Sequence, residues 1–195
     1  MNEKLRRERL TVPTGKIRLV IDSDAKNEVD DQFAIAWALR SPERFQVEAV
    51  YAAPFSHTVF RRNIGDLDFA VQEDPEEGME QSYQEIRKIF RLLDVDPEKK
   101  VFRGATGYLN EKRDPVMSDA VRDLIERGMS SEEPLYVASI GACTNVASAL
   151  LAEPRLVDHI VVIWLGGQPF YFDHGYLINM GQDIRGAQHL FKCGV

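Results

Sequence analysis

Three features of this chain predict an α/β fold, with a Rossmann-like, mostly parallel sheet and helices on both faces. Short apolar runs alternate with segments of helical periodicity, the pattern of a parallel sheet covered on both sides. The length, 195 residues, suits one domain with room for a sizeable core. The first apolar run also ends in a cluster of aspartates, and open α/β sheets collect ligands at the carboxyl ends of their strands.

Residues 1–16 read as a polar lead-in. Residues 17–21 (Ile-Arg-Leu-Val-Ile) form a short apolar run with Arg18 as its exception, which predicts a buried strand. Residues 30–39 predict a helix, with Asp30 and Asp31 in the first turn, where negative charge suits the helix dipole. Phe33, Ile35, Ala36, Trp37, Ala38 and Leu39 make it apolar nearly all round, so it is expected to be buried. Ser41-Pro42 ends it.

Residues 45–53 predict a second strand, and 63–72 a helix. Residues 73–81, acidic and turn-rich, predict a loop before a helix over 82–93, where Ile86, Ile89, Phe90 and Leu93 fall at helical spacing. Val101 and Phe102 suggest a short strand, 120–128 a helix, 135–140 a strand, 144–152 a helix and 160–165 a strand. Residues 183–192 read as helix, and the chain stops soon after it, where the alternation calls for another strand. Internal repeats, low-complexity segments and a domain boundary are not visible.

Composition narrows the functional classes. The 44% hydrophobic and 28% charged content is that of a soluble globular protein. A net charge of -7 argues against a nucleic-acid polymer as partner, which calls for basic stripes, though not against a single nucleoside or sugar. Two cysteines, Cys143 and Cys193, make neither a CxxC pair nor a disulfide scaffold, so a reduced, cytoplasmic setting is expected. The charged N-terminus carries no secretory h-region, and no apolar stretch is long enough to span a membrane.

Asp22, Asp24, Asp30 and Asp31 lie within ten positions. Carboxylates packed so closely repel one another unless a cation intervenes, and oxygen ligands select a hard ion such as magnesium, calcium or manganese. One aspartate would suit a helix cap on a solvated loop; four beside a buried strand point to a metal-dependent enzyme acting on a small molecule.

The stretch Ile21-Asp-Ser-Asp-Ala…Asp30-Asp31-Gln-Phe-Ala-Ile-Ala resembles the N-terminal D-x-D-P-G-x-D-D signature of the inosine–uridine-preferring nucleoside hydrolase family. Here Ala25 replaces the proline, and Lys26-Asn-Glu-Val lengthens the loop by two residues. Ser139-Ile-Gly-Ala-Cys-Thr-Asn-Val-Ala is similar to the family's G-P-L-T-N-[IVL]-A segment. Val162-Ile-Trp-Leu-Gly-Gly167 is similar to its strand ending in Met-Gly-Gly, and Asn179-Met-Gly-Gln-Asp183…Ala187 to its E-F-N-x-x-x-D-P-x-A. The four matches keep the family's order and span most of the chain.

The resemblance implies Ca²⁺-dependent hydrolysis of the N-glycosidic bond of ribonucleosides or a related ribosyl compound. Asp24 would be both a calcium ligand and the residue that activates the attacking water. Asp31 would be a second ligand and the Ile140 carbonyl a third. Asp30 would hold ribose hydroxyls, Asn179 would contact the ribose, and Asp22 would orient its neighbours. The transition state would resemble an oxocarbenium ion, which nearby carboxylates stabilise. The chain departs from the pattern at Leu177, where the family has glutamate, and over residues 52–56, where an asparagine is absent. The resemblance further implies one domain over residues 1–195 without the family's C-terminal part, which carries a histidine–aspartate pair and completes the calcium site. Water, substrate oxygens or a partner chain would then fill the coordination. Base preference and assembly into a homo-oligomer stay open.

Two other classes compete. Asp22-x-Asp24 after a strand also resembles the nucleophile motif of haloacid dehalogenase-type phosphatases, although Lys26 stands where that family has Thr or Val. A degenerate relative that binds a sugar or nucleoside without turnover is the other. Secondary candidates are weaker. His174 is read as a polar loop side chain or a ligand contact; Asn27 and Glu28 reach either the ligand or solvent; and Phe170, Tyr171 and Phe172 line a base pocket or pack in the core. His57, His159 and His189 lack metal-ligand spacing, and Cys143 reads as a small packing residue. The acidic run from Glu73 to Glu80 lacks the ligand spacing of an EF-hand.

Overall fold

The computed structural model describes residues 3–58, 71–169, 171–172 and 178–195. Five strands form one parallel sheet: β1 (Ile17–Ser23), β2 (Phe45–Ala52), β3 (Val101–Arg103), β4 (Leu135–Ser139) and β5 (Ile160–Trp164). The order is β3-β2-β1-β4-β5, so the chain winds outward in one direction from β1, then returns and winds outward in the other. That reversal lies between β1 and β4, and the crevice above such a switch point is where doubly wound sheets bind ligands. The α/β, Rossmann-like expectation is met.

The helices cover both faces. On one side α2 (Val29–Leu39) and α3 (Pro75–Leu92) bury Ile35, Ile86 and Phe90 against Leu19, Ile21 and Val50. On the other, α4 (Asp119–Met129), α5 (Thr144–Ala152) and α7 (Ile184–Cys193) bury Val121, Leu124, Val146 and Leu190 against Val20, Tyr51 and Val137. Alternate residues of β1 thus point into opposite cores, as the period of a strand requires. The exception in the first apolar run is explained by pairing: the Arg18 guanidinium donates to both carboxylate oxygens of Glu48, at 2.7 and 3.1 Å, where β1 and β2 slip register.

Three expectations are corrected. The polar lead-in contains a helix, α1 (Glu3–Leu10), with an exposed Arg7–Glu3 pair at 3.0 Å. The acidic segment expected to be a loop starts α3 instead. Asp74 caps it by accepting the Glu76 N–H at 3.0 Å, and Pro75 opens its first turn, a favourable pairing. Gly78 is there because α3 crosses the chain after β2 so closely that a Cβ would lie 2.1 Å from the Phe55 carbonyl oxygen. Finally, α2 is buried on one face only: Phe33 is 72% and Trp37 68% exposed, while Ile35 and Ala38 face the sheet. Its composition is apolar all round, but only one face meets a layer.

The expected helix over 63–72 lies almost wholly outside the described residues. A short helix, α6 (Ile178–Gln182), precedes α7, which ends at Gly194 in the left-handed conformation that caps helices. Among the described residues, no helix is long and apolar enough to cross a membrane.

Candidate active site above the β1–β4 switch

The parallel ladder continues past the strand ends and carries its register into the site. The Ile140 N–H donates to the Asp22 carbonyl at 2.8 Å, the Ala53 N–H to the Ser23 carbonyl at 2.8 Å, and the Leu165 N–H to the Ser139 carbonyl at 2.9 Å. Asp22, Ser23 and Asp24 therefore leave β1 beside Ser139, Ile140 and Gly141 leaving β4. From the other side, α2 presents its first turn. Four of the six residues singled out from the sequence, Asp30, Asp31, Ile140 and Asn179, line one cavity of about 160 Å³ together with Glu28. Asp22 and Asp24 are fully buried next to it in the chain.

Each carboxylate is held differently. Asp22 accepts from Asn145 Nδ2 at 2.8 Å and from Ser139 Oγ at 3.2 Å. Asn145 also donates to the Ala52 carbonyl at 3.2 Å and accepts the Ala105 N–H at 2.7 Å, which ties α5 to three segments. Asp31 accepts from Ser23 Oγ at 2.6 Å. Asp24 Oδ2 accepts from Asn27 Nδ2 at 2.9 Å. Asp24 Oδ1 is buried and has no hydrogen-bond partner among the described residues. It lies against Gly141, where a Cβ would come within 2.7 Å of it.

Burial dominates the electrostatics. It pushes the Asp22 carboxyl up to about 7, partly offset by the Asn145 and Ser139 hydrogen bonds. It pushes Asp24 up to about 7, with the Asn27 hydrogen bond opposing. Asp31 rises to about 8, through burial and then the charge of Asp24. Glu28 is raised by burial and by Asp30. Among the described residues, no ion pair reaches Asp22, Asp24 or Asp31. Buried carboxylates without a counter-charge, one oxygen of them unpartnered, fit a hard cation in the kind of donor they offer. They do not make a complete cage: no group of three or more His, Cys, Asp or Glu side chains is arranged to hold an ion among the described residues.

Asn179 donates to the Ile140 carbonyl at 2.8 Å and to the Leu165 carbonyl at 3.0 Å, so its amide joins the ends of β4 and β5. Sequence reasoning gave no role to Asn145, Gln182, Asp183 or His57. Asp183 caps α7 through the Gly186 N–H at 2.7 Å and also accepts from Thr144 Oγ1 at 2.7 Å. The available signal was a set of polar residues inside otherwise apolar stretches. His174, Phe170 and Leu177 lie outside the described residues; Tyr171 and Phe172 are exposed and pack on each other, ring centroids 5.3 Å apart. Cys143 is buried in the core, as expected of a packing residue.

No protein-family model matches the chain. The non-specific ribonucleoside hydrolase RihC of Salmonella agona (strain SL483) is 26% identical over 191 residues, covering 93% of this chain and 60% of that protein. In sequence the chain is thus similar to non-specific ribonucleoside hydrolases, at low identity. The purine-preferring ribonucleoside hydrolase from Gardnerella vaginalis shares the fold with a TM-score of 0.65 at 22% identity, over 91% of this chain and 58% of that one. The type III effector XopQ, complexed with adenosine diphosphate ribose, gives 0.66 at 18% identity, over 99% and 58%. The chain spans about 60% of the length of the curated relatives it matches.

Proposed function

We propose that the chain is a hydrolase of the nucleoside hydrolase type, cleaving the N-glycosidic bond of ribonucleosides or of a related ribosyl compound. The observation that carries the reading is the placement of Asp30, Asp31, Ile140 and Asn179 around one cavity at the switch point, beside the uncompensated Asp24. Asp24, Asp31 and the Ile140 carbonyl would hold Ca²⁺, which when bound lowers the pKa of water and offsets the buried negative charge. Asp24 accepts the proton of the attacking water, as its raised pKa suits. Asp30, exposed at the cavity mouth, and Asn179 orient the ribose. Asp22 keeps both oxygens on Asn145 and Ser139 and braces the β1 end. That engagement also argues against the phosphatase reading, in which Asp22 would have to be a free nucleophile.

A second reading, ligand binding without turnover, draws on two observations. Asp24 is 0% exposed, and the Ile140 carbonyl already accepts the Asn179 amide. Reducing-sugar release from inosine and uridine in the presence of Ca²⁺, beside calorimetry with Ca²⁺ and ribose, separates the two. Turnover that falls at least about 100-fold in Asp24→Asn supports the hydrolase. Calcium and ribose binding with no base released establishes the second reading.

A further inference from the structure

Asp24 is gripped by a chain of side chains that the reaction scheme above does not use. His57 follows β2 and is locked to a neighbouring segment at two points: its own N–H donates to the Gln72 carbonyl at 2.7 Å, and the Gln72 N–H donates to its Nδ1 at 2.8 Å. A backbone N–H is only a donor, so Nδ1 is an acceptor and the ring proton of the neutral imidazole sits on Nε2. Nε2 lies 3.0 Å from Asn27 Oδ1, which must therefore be the accepting end of that amide. The donating end, Nδ2, is left facing Asp24 Oδ2 at 2.9 Å. One backbone N–H thus fixes the direction of every hydrogen bond as far as the carboxylate. Burial lowers the His57 pKa and favours the neutral ring that this arrangement needs. The ring also packs on Phe55, with centroids 5.6 Å apart.

A second amide, that of Gln182, lies near Asp24 but makes no hydrogen bond to it. Gln182 Oε1 accepts the Ser56 N–H at 2.8 Å and the Tyr108 hydroxyl at 2.8 Å, which leaves its Nε2 as the free end of the amide. That amide favours the ionised form of Asp24. Asn27 itself belongs to the loop between β1 and α2. The Asn27 N–H turns back onto the Asp24 carbonyl at 2.7 Å, and Gln32 Nε2 pins the Ala25 carbonyl at 3.0 Å.

We propose that His57 and Asn27 are positioning residues for Asp24, forming a one-directional relay from His57 Nε2–H to Asn27 Oδ1 and from Asn27 Nδ2–H to Asp24 Oδ2. The proposal rests on the reading of Asp24 as the water-activating carboxylate. The relay occupies Oδ2, leaves the buried Oδ1 without a partner, and fixes the rotation of the carboxylate about its own axis. Partners one shell out from a reacting group commonly change activity 10–100-fold when removed.

The test uses the full chain, ¹⁵N-labelled. Long-range ¹H–¹⁵N spectra are expected to show His57 with a protonated Nε2 and an acceptor Nδ1, and the Asn27 side-chain amide, assigned by its loss in Asn27→Ala, slowed in exchange. His57→Phe keeps an aromatic ring beside Phe55 but removes the donor, so the Asn27 amide should lose its protection. His57→Phe should also lower kcat for nucleoside hydrolysis about tenfold with KM within twofold, and His57→Gln, which restores an N–H, should recover most of it. A ring protonated at Nδ1, or a His57→Phe variant with unchanged kcat and an unchanged Asn27 amide, overturns the relay. A wild type that releases no base counts against the reaction alone, because the ring and amide signals are read without substrate.

Discussion

Asp31 offers the sharpest test of the cation site, because a structural carboxylate and a metal-binding one respond in opposite ways to neutralisation. Asp31 is 3% exposed, accepts one hydrogen bond from Ser23 and feels the charge of Asp24. Its pKa rises from 3.8 to about 8 on folding. The folded state therefore binds the proton more tightly than the unfolded chain, so the stability Asp31 contributes is full below pH 4 and is lost as pH rises through about 8. At about 1.4 kcal/mol per unit, the loss at pH 8 has an upper bound of roughly 5 kcal/mol. Asparagine has nearly the same shape, still accepts from Ser23 and never ionises.

Asp31→Asn is thus expected to melt higher than wild type at pH 8 in the presence of chelator. A chain of this size shifts by about 2–4 °C per kcal/mol, so even a quarter of the bound gives several degrees. Divalent ions should do the reverse. Wild type with Ca²⁺ at about 100 times its Kd gains roughly 2.7 kcal/mol, a rise of about 5–10 °C, and the variant should gain almost none. Differential scanning fluorimetry at pH 8, with EDTA or Ca²⁺, reads all four melting points. A variant that melts lower than wild type in EDTA and keeps the full Ca²⁺ shift would show that Asp31 serves only as an acceptor for Ser23, and the cation site would have to be abandoned.

Other outcomes follow from the same geometry. In EDTA the wild-type melting temperature should fall steadily from pH 5 to pH 8, since Asp22, Asp24 and Asp31 all titrate upward of 3.8 in the fold; Ca²⁺ should flatten that slope, and a profile that rises with pH would contradict the assigned burial. Asn145→Ala strips the partner from Asp22 and leaves the Ala52 carbonyl and Ala105 N–H unsatisfied, so urea unfolding should show a loss of about 3 kcal/mol or more. Gly141→Ala places a methyl group 2.7 Å from Asp24 Oδ1 and 3.1 Å from the Ala53 Cβ; it should cost about 1–3 kcal/mol and weaken Ca²⁺ binding in calorimetry, while Gly107→Ala, which meets nothing, should do neither.

The architecture was legible because it depends on periodicity. Apolar runs such as Ile17–Ile21 and Ile160–Leu165 alternate with helical patterns, and a parallel sheet with two covered faces is the packing that satisfies both. Where expectation and structure part, a longer-range contact decides. The segment 73–81 reads as loop on composition, yet Asp74, Pro75 and the close approach of Gly78 to Phe55 make it the first turns of α3. The burial of α2 was overestimated because composition cannot tell how many faces of a helix meet another layer: Phe33 and Trp37 sit on the face that meets none.

The site divides along the same line. Asp22, Asp24, Asp30 and Asp31 were visible because four carboxylates close together in sequence, beside a buried strand, demand an explanation that one would not. The residues that decide how each carboxylate behaves come from far away: Asn145 lies 123 positions from Asp22, and His57 acts on Asp24 through Asn27 from 30 positions beyond that amide. Asn145 falls within the matched segment 139–147, but nothing in that segment says which carboxylate it holds, and no local pattern marks His57, since both roles depend on which strand ends the topology brings together. The switch between β1 and β4 is what brings them together. It aligns Asp22 with Ser139 in the ladder and so sets Asn145, six residues on, against the Asp22 carboxylate. Asp22 is thereby spent on holding the two strand ends in register. That leaves Asp24 and Asp31 as the pair of buried carboxylates with charge still to be balanced, and it is these two, not the cluster as a whole, on which a divalent ion would act.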